Sequence, residues 1–193
     1  MIQHSHFIIF KPYGYLSQFY LKNPKKKKLL GALGNFPEGI MAVGRLDEAS
    51  EGLLFLTTDG KLSDFINSKK VTKEYYAQVD GIITDGAIKT LQQGVVIGLH
   101  GEKYTTKPCT VTRVTSLPNF PERRKKIRDD RHGPTSWVSI TLREGKFRQV
   151  RKMTSAVGFP TLRLIRVRIG NHYIEELLPK TVLQLDNFKF DNN

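Results

Sequence analysis

Val43-Gly44-Arg45-Leu46-Asp47-Glu48-Ala49-Ser50-Glu51-Gly52-Leu53-Leu54-Phe55-Leu56-Thr57-Thr58-Asp59-Gly60 holds a compact Gly-Arg-Leu-Asp turn just ahead of an apolar run. Residues 53–56 read as a buried strand. The turn therefore sets one carboxylate, Asp47, and one guanidinium, Arg45, in a loop beside that strand. The chain is strongly basic, so an acid in this position is expected to do chemistry rather than to repel an anionic ligand.

Working outward, the chain has 193 residues, 39% hydrophobic and 25% charged, and a formal net charge of +13. That length buries a sizeable core, and the balance of residues is that of a globular protein. Self-repulsion at +13 is most simply accounted for by a polyanionic partner, with RNA or DNA first. A single cysteine, Cys109, excludes an internal disulfide and argues against a cysteine zinc site. Residues 1–10 lack the basic start and long apolar stretch of a signal peptide, and no run approaches the roughly 18 apolar residues of a membrane span. A cytoplasmic protein with no membrane association is expected.

No fixed-period repeat is present. Residues 6–10 read as a short buried strand stopped by the turn Lys11-Pro12-Tyr13-Gly14, and the five lysines of residues 22–28 as an exposed loop. A short helix is expected over 60–67 with Leu62, Phe65 and Ile66 inward, and another over 84–94 with Thr84 as N-cap and Gly94 as stop. Residues 73–79 alternate as a strand, with Tyr75, Ala77 and Val79 on one face. Further strands are expected at 110–115, 137–142 and 162–167. Between them, residues 117–134 form a basic insertion with Pro118, Pro121, Pro134 and the cluster Arg123-Arg124-Lys125-Lys126. It offers almost nothing apolar to bury and is expected to be mobile without a partner. Strands outnumber helices without regular βαβ alternation, which gives an α+β class with a mixed, mostly antiparallel sheet. No linker stands out, so residues 1–193 are read as one catalytic domain.

Residues 144–158 form the second informative segment. Phe147, Val150, Met153 or Thr154, and Val157 recur at helical spacing and would face the core, with Gly158 as the stop. Arg148, Arg151 and Lys152 cluster on the other side. Like charges at that spacing cost a few tenths of a kcal/mol; a carboxylate or phosphate between them reverses the sign.

These two segments together resemble the RsuA-type pseudouridine synthases of ribosomal RNA. Residues 44–54 match the family pattern Gly-Arg-Leu-Asp-x-x-Ser/Thr-x-Gly-Leu-Leu. Lys11-Pro12-Tyr13-Gly14 is similar to the family's opening strand-turn, Lys73-Glu74-Tyr75-Tyr76-Ala77 to its Lys-x-Tyr strand, and Glu144-Gly145-Lys146-Phe147-Arg148-Gln149-Val150-Arg151-Lys152-Met153 to its basic helix. Four such segments occur in family order across nearly the whole chain. Pro134-Thr135-Ser136-Trp137 and residues 157–166 narrow the resemblance to a branch acting on the large-subunit ribosomal RNA near the peptidyl transferase centre. The first motif begins within about ten residues of Met1, so the S4 RNA-binding domain of many relatives is expected to be absent.

The resemblance implies a pseudouridine synthase fold, a central mixed sheet flanked by helices with an RNA-binding cleft. It implies no cofactor and no metal, since breaking the N1 glycosidic bond and rejoining uracil through C5 oxidises nothing. Asp47 would be the essential carboxylate, as nucleophile or as base. Arg151 would pair with it and keep it charged. Tyr75 would stack on a flipped-out uracil, with Arg45 filling the vacated space or clasping the flanking phosphate. Arg148, Lys152, Arg123, Arg124, Lys125, Arg163 and Arg166 would engage phosphates. The partner would be a large-subunit ribosomal RNA stem-loop or a pre-ribosomal particle, met by a monomer. A non-catalytic ribosome-assembly factor is the alternative, disfavoured because binding alone gains nothing from Asp47. A glycosidic-bond hydrolase would want a second carboxylate paired with Asp47, and none stands out.

Overall fold

The computed structural model describes residues 3–23, 27–68, 70–123, 125–127, 130–178, 180–188 and 190. In chain order its strands are β1 (His6–Lys11), β2 (Tyr15–Leu16), β3 (Lys28–Leu29), β4 (Met41–Val43), β5 (Glu51–Thr57), β6 (Lys73–Asp80), β7 (Val96–Leu99), β8 (Glu102–Thr105), β9 (Thr110–Arg113), β10 (Thr135–Leu142), β11 (Thr161–Ile169), β12 (His172–Tyr173) and β13 (Val182–Leu185). The α-helices are α1 (Gly60–Asn67), α2 (Asp85–Gln93) and α3 (Gln149–Ala156). The main sheet runs β13-β1-β5-β11-β6-β10-β9, with β4 also on β5 and β12 also on β11. Its pairings are antiparallel except β5 with β11, which run parallel in the register Ile165 to Glu51 and Arg166 to Gly52. The expected α+β class with a mixed, mostly antiparallel sheet is what the chain forms.

Alternation along the strands explains where the core divides. Leu53 and Phe55 join Ile8, Phe10, Ile165 and Val167 on one face of the sheet. Leu54 and Leu56 join Phe7 and Ile9 on the other. That second face carries a further cluster farther along the sheet, built from Ala77, Val79, Val138, Ile140 and Leu164 under α2 and α3. The two clusters on this face are separated at β11, and the candidate site lies in the gap.

Helices α1 and α2 follow their caps. The Asp59 carboxylate accepts from the Lys61 and Leu62 amides at 2.9 and 3.1 Å, and the Thr84 hydroxyl accepts from Ala87 at 3.2 Å. One expected inward residue of α1 is displaced. Ile66 is buried, but Phe65 is exposed, and its ring packs edge-on against Phe190 of the C-terminal segment at 5.6 Å.

The basic insertion is better anchored than its composition suggests. Phe120 packs against Tyr76 and Trp137, with ring centroids 6.4 Å away in each case. Arg123 lies over the Tyr13 ring at 4.0 Å. One aromatic and one stacked arginine thus fix residues 120–123, a role that counting apolar residues overlooks. Two lysines sit inside the fold. Lys11 donates to the Pro12 and Tyr15 carbonyls at 2.9 and 2.8 Å, and Lys73 to those of Ile66 and Val71 at 2.6 and 2.9 Å. Burial pushes both ammonium groups down to about 8. Among the described residues no helix is long and apolar enough to cross a membrane.

Candidate active site

The loop between β4 and β5 is held from several sides. The Ser17 hydroxyl accepts from the Leu46 amide at 2.9 Å and donates to the Leu46 carbonyl at 2.8 Å. The Ser50 amide donates to the Asp47 carbonyl at 2.9 Å, and the Gly14 amide to that of Glu48 at 2.8 Å. Gly52, at φ +105°, lets β5 approach β11 so closely that a Cβ there would lie 2.3 Å from the Arg166 carbonyl oxygen. The Asp47 side chain is left 28% exposed at the mouth of a cleft.

The opposite wall comes from residues 144–150. The helix expected from residue 144 begins only at Gln149, because Arg148 adopts a left-handed conformation, φ 52° and ψ 35°. Consequently Phe147 does not face the core; it is 59% exposed. Val150 and Met153 are buried as expected. A polar network fixes this turn. Glu144 accepts from the Tyr104 hydroxyl, from the Lys107 amide at 2.9 Å and from the Gln149 side chain at 2.8 Å. The Gln149 side-chain Oε1 in turn accepts from the Lys146 amide at 3.0 Å. Burial opposes the charge on Glu144, but these donors outweigh it and hold its pKa below the usual carboxylate range.

The outcome is an ion pair across the cleft, Arg148 Nη1 to Asp47 Oδ2 at 3.8 Å. Among the described residues the cation paired with Asp47 is thus Arg148, where Arg151 was expected. Arg151 instead donates to the Ala49 carbonyl at 2.8 Å and the Thr161 carbonyl at 3.3 Å, bracing the back of the loop. Burial and then Arg148 push the Arg151 pKa down, while Asp47 acts in the opposite sense. Tyr75 and Arg45 line the same cleft as Asp47 and Arg148. Among the described residues Arg45 has no ion pair, since Glu48 is taken by Lys27 at 2.8 Å and Glu51 by Arg163 at 2.8 Å.

Other expected phosphate contacts lie elsewhere. Strand alternation puts Arg163 on the far face of the sheet, where it and Arg123, 3.7 Å away, neutralise Glu51, which is 2% exposed. Arg166 is buried beneath the cleft, donating to the Leu53 carbonyl at 2.7 Å. Lys125 is exposed, Lys152 donates to the Gly98 carbonyl at 2.6 Å, and Arg124 lies outside the described residues. Sequence reasoning missed Ser17, Tyr104 and Gln149. Each acts through a hydrogen bond to a partner distant in sequence or hidden by the assumption of an unbroken helix.

A carboxylate facing an arginine thus shares one open cleft with a tyrosine and with an arginine that has no ion pair among the described residues. The pattern of the family described as RNA pseudouridylate synthase matches residues 5–156. The chain belongs to that family. It is 39% identical over 171 residues to the ribosomal large subunit pseudouridine synthase E of Xanthomonas axonopodis pv. citri, covering 88% of this chain and 87% of that protein. To the protein of the same description from Vibrio vulnificus it is 39% identical over 175 residues, covering 89% and 71%. The crystal structure of a pseudouridylate synthase superposes with a TM-score of 0.73 at 25% identity, over 96% of this chain and 71% of the other. The synthase is accordingly an isomerase, and its fold is that of its family.

Proposed function

We propose that this synthase converts a uridine of large-subunit ribosomal RNA to pseudouridine, with Asp47 as the essential carboxylate. The observation that carries the reading is the Asp47–Arg148 pair at 3.8 Å inside a cleft shared with Tyr75 and Arg45. The relatives' descriptions supply the RNA class. The target uridine leaves its stem at a cost of a few kcal/mol. Tyr75 stacks on the extruded uracil, and Arg45 reaches into the vacated space or clasps a flanking phosphate. Asp47 then attacks C1′ or removes a sugar proton as the N1–C1′ bond breaks. Uracil turns, and C5 bonds to C1′ as the Asp47 ester is displaced or the sugar proton is returned, C5 losing its proton as N1 gains one. Nothing is oxidised, and atoms balance between uridine and its isomer. The enzyme works as a monomer, one catalytic domain over residues 1–193.

Asp47→Asn tests this. Carbodiimide–primer-extension mapping of a large-subunit ribosomal RNA transcript is expected to show one new pseudouridine with the native enzyme and none with the variant, while RNA binding persists. Conversion by the variant would remove Asp47 from the chemistry.

A further inference from the structure

The left-handed break at Arg148 turns the Phe147 ring out to solvent at the rim of the cleft. An aromatic side chain this exposed contributes nothing to the core, yet it is held in place. Lys152 sits 5.3 Å over the Phe147 ring and is itself tied to the Gly98 carbonyl. The His100 ring lies 6.4 Å from it at 30°. His100 and Gly101, both at positive φ, form the two-residue turn of the β7–β8 hairpin, which fixes that second ring. Beside this pair a groove of about 440 Å³ runs between α3 and β7, lined by Arg148, Arg151 and Lys152 and by no carboxylate. Arg148 also lines the Asp47 cleft, so the two adjoin.

We propose that this groove takes the RNA strand flanking the flipped uridine, with a neighbouring base stacked on Phe147 and its phosphates on Arg148 and Lys152. The inference rests on the synthase reading and extends it. Cations that outnumber the one acid they meet, Asp47, suit a phosphate backbone, and a ring left 59% exposed suits any base, because every base has a π-face. Phe147 is therefore a binding residue for the flanking strand, and Asp47 chemistry does not require it directly.

The test uses the transcript fragment carrying the mapped uridine. Phe147→Ala is expected to raise KM by about 5- to 150-fold, the effect falling on KM rather than kcat. Phe147→Trp restores it, and Phe147→Leu, which keeps bulk without a ring face, does not. The thermal midpoint of each variant checks that the fold is intact. 2-Aminopurine beside the target is expected to be quenched on binding the native enzyme and less so with Phe147→Ala. A native KM in Phe147→Leu, or unquenched 2-aminopurine in the native complex, overturns the flanking-strand inference alone. Absence of Asp47-dependent conversion by the native enzyme overturns the synthase reading and this inference with it.

Discussion

At the scale of single residues, the two arginines of the basic helix divide the labour that sequence assigned to one. Arg148 faces the Asp47 carboxylate across open space, and Arg151 is bound to backbone carbonyls behind the loop. Their variants should therefore fail differently. Arg148→Ala is expected to lower kcat by roughly 100-fold with a change in stability within about 0.5 kcal/mol, as for other exposed pairs. Arg151→Met should lower stability by about 1–3 kcal/mol in denaturant titration, because it strips two half-buried carbonyls, those of Ala49 and Thr161, of their donor. Equal loss of stability in both variants would contradict this division. Family spacing could point to a basic partner for Asp47 but not choose between two cations three residues apart, since the choice depends on one left-handed φ. That Asp47, Tyr75 and Arg45 share one cleft follows from short patterns whose backbone setting is local.

Among the elements, strands were easier to read than the turns between them. Alternation in residues 73–79 and the buried run at 53–56 report which faces are covered, and β5, β6 and β10 follow them. The partner of each strand was not legible, because the parallel contact of β5 with β11 joins residues more than a hundred positions apart. That contact gives a sharp prediction. Gly52→Ala would place its Cβ 2.3 Å from a backbone oxygen, which no rotamer can relieve, and should cost about 3 kcal/mol or more. Gly44→Ala meets only the Asn67 side chain, its oxygen at 2.6 Å, which can swing away. Its cost should be the positive-φ penalty of about 1–2 kcal/mol. Thermal unfolding of the two variants, side by side, checks the ranking.

Over the whole molecule, the +13 charge was the first pointer to a polyanion, and it predicts how binding responds to salt. The logarithm of affinity should fall against the logarithm of salt with a slope of about −0.7 per single-strand phosphate contacted. A flat response would remove the electrostatic account. Charge alone could not say which cations meet phosphate, since Arg123, Arg163 and Arg166 turn out to neutralise or brace the interior. The two interior ammonium groups, at about 8 against an ordinary 10.5, have a further effect. Between those values the unfolded chain keeps protons that the folded chain has shed, so stability rises with pH over that window. Burial raises the Cys109 thiol to about 11, which works the other way above its ordinary value of 9. Melting temperature at fixed ionic strength is thus expected to climb from about pH 8 to about pH 9. With an isoelectric point near 9.9, solubility is lost at more alkaline values. Purification and storage buffers for this enzyme therefore belong between about pH 8 and about pH 9, in a narrow band where the folded form tightens before its colloidal protection runs out.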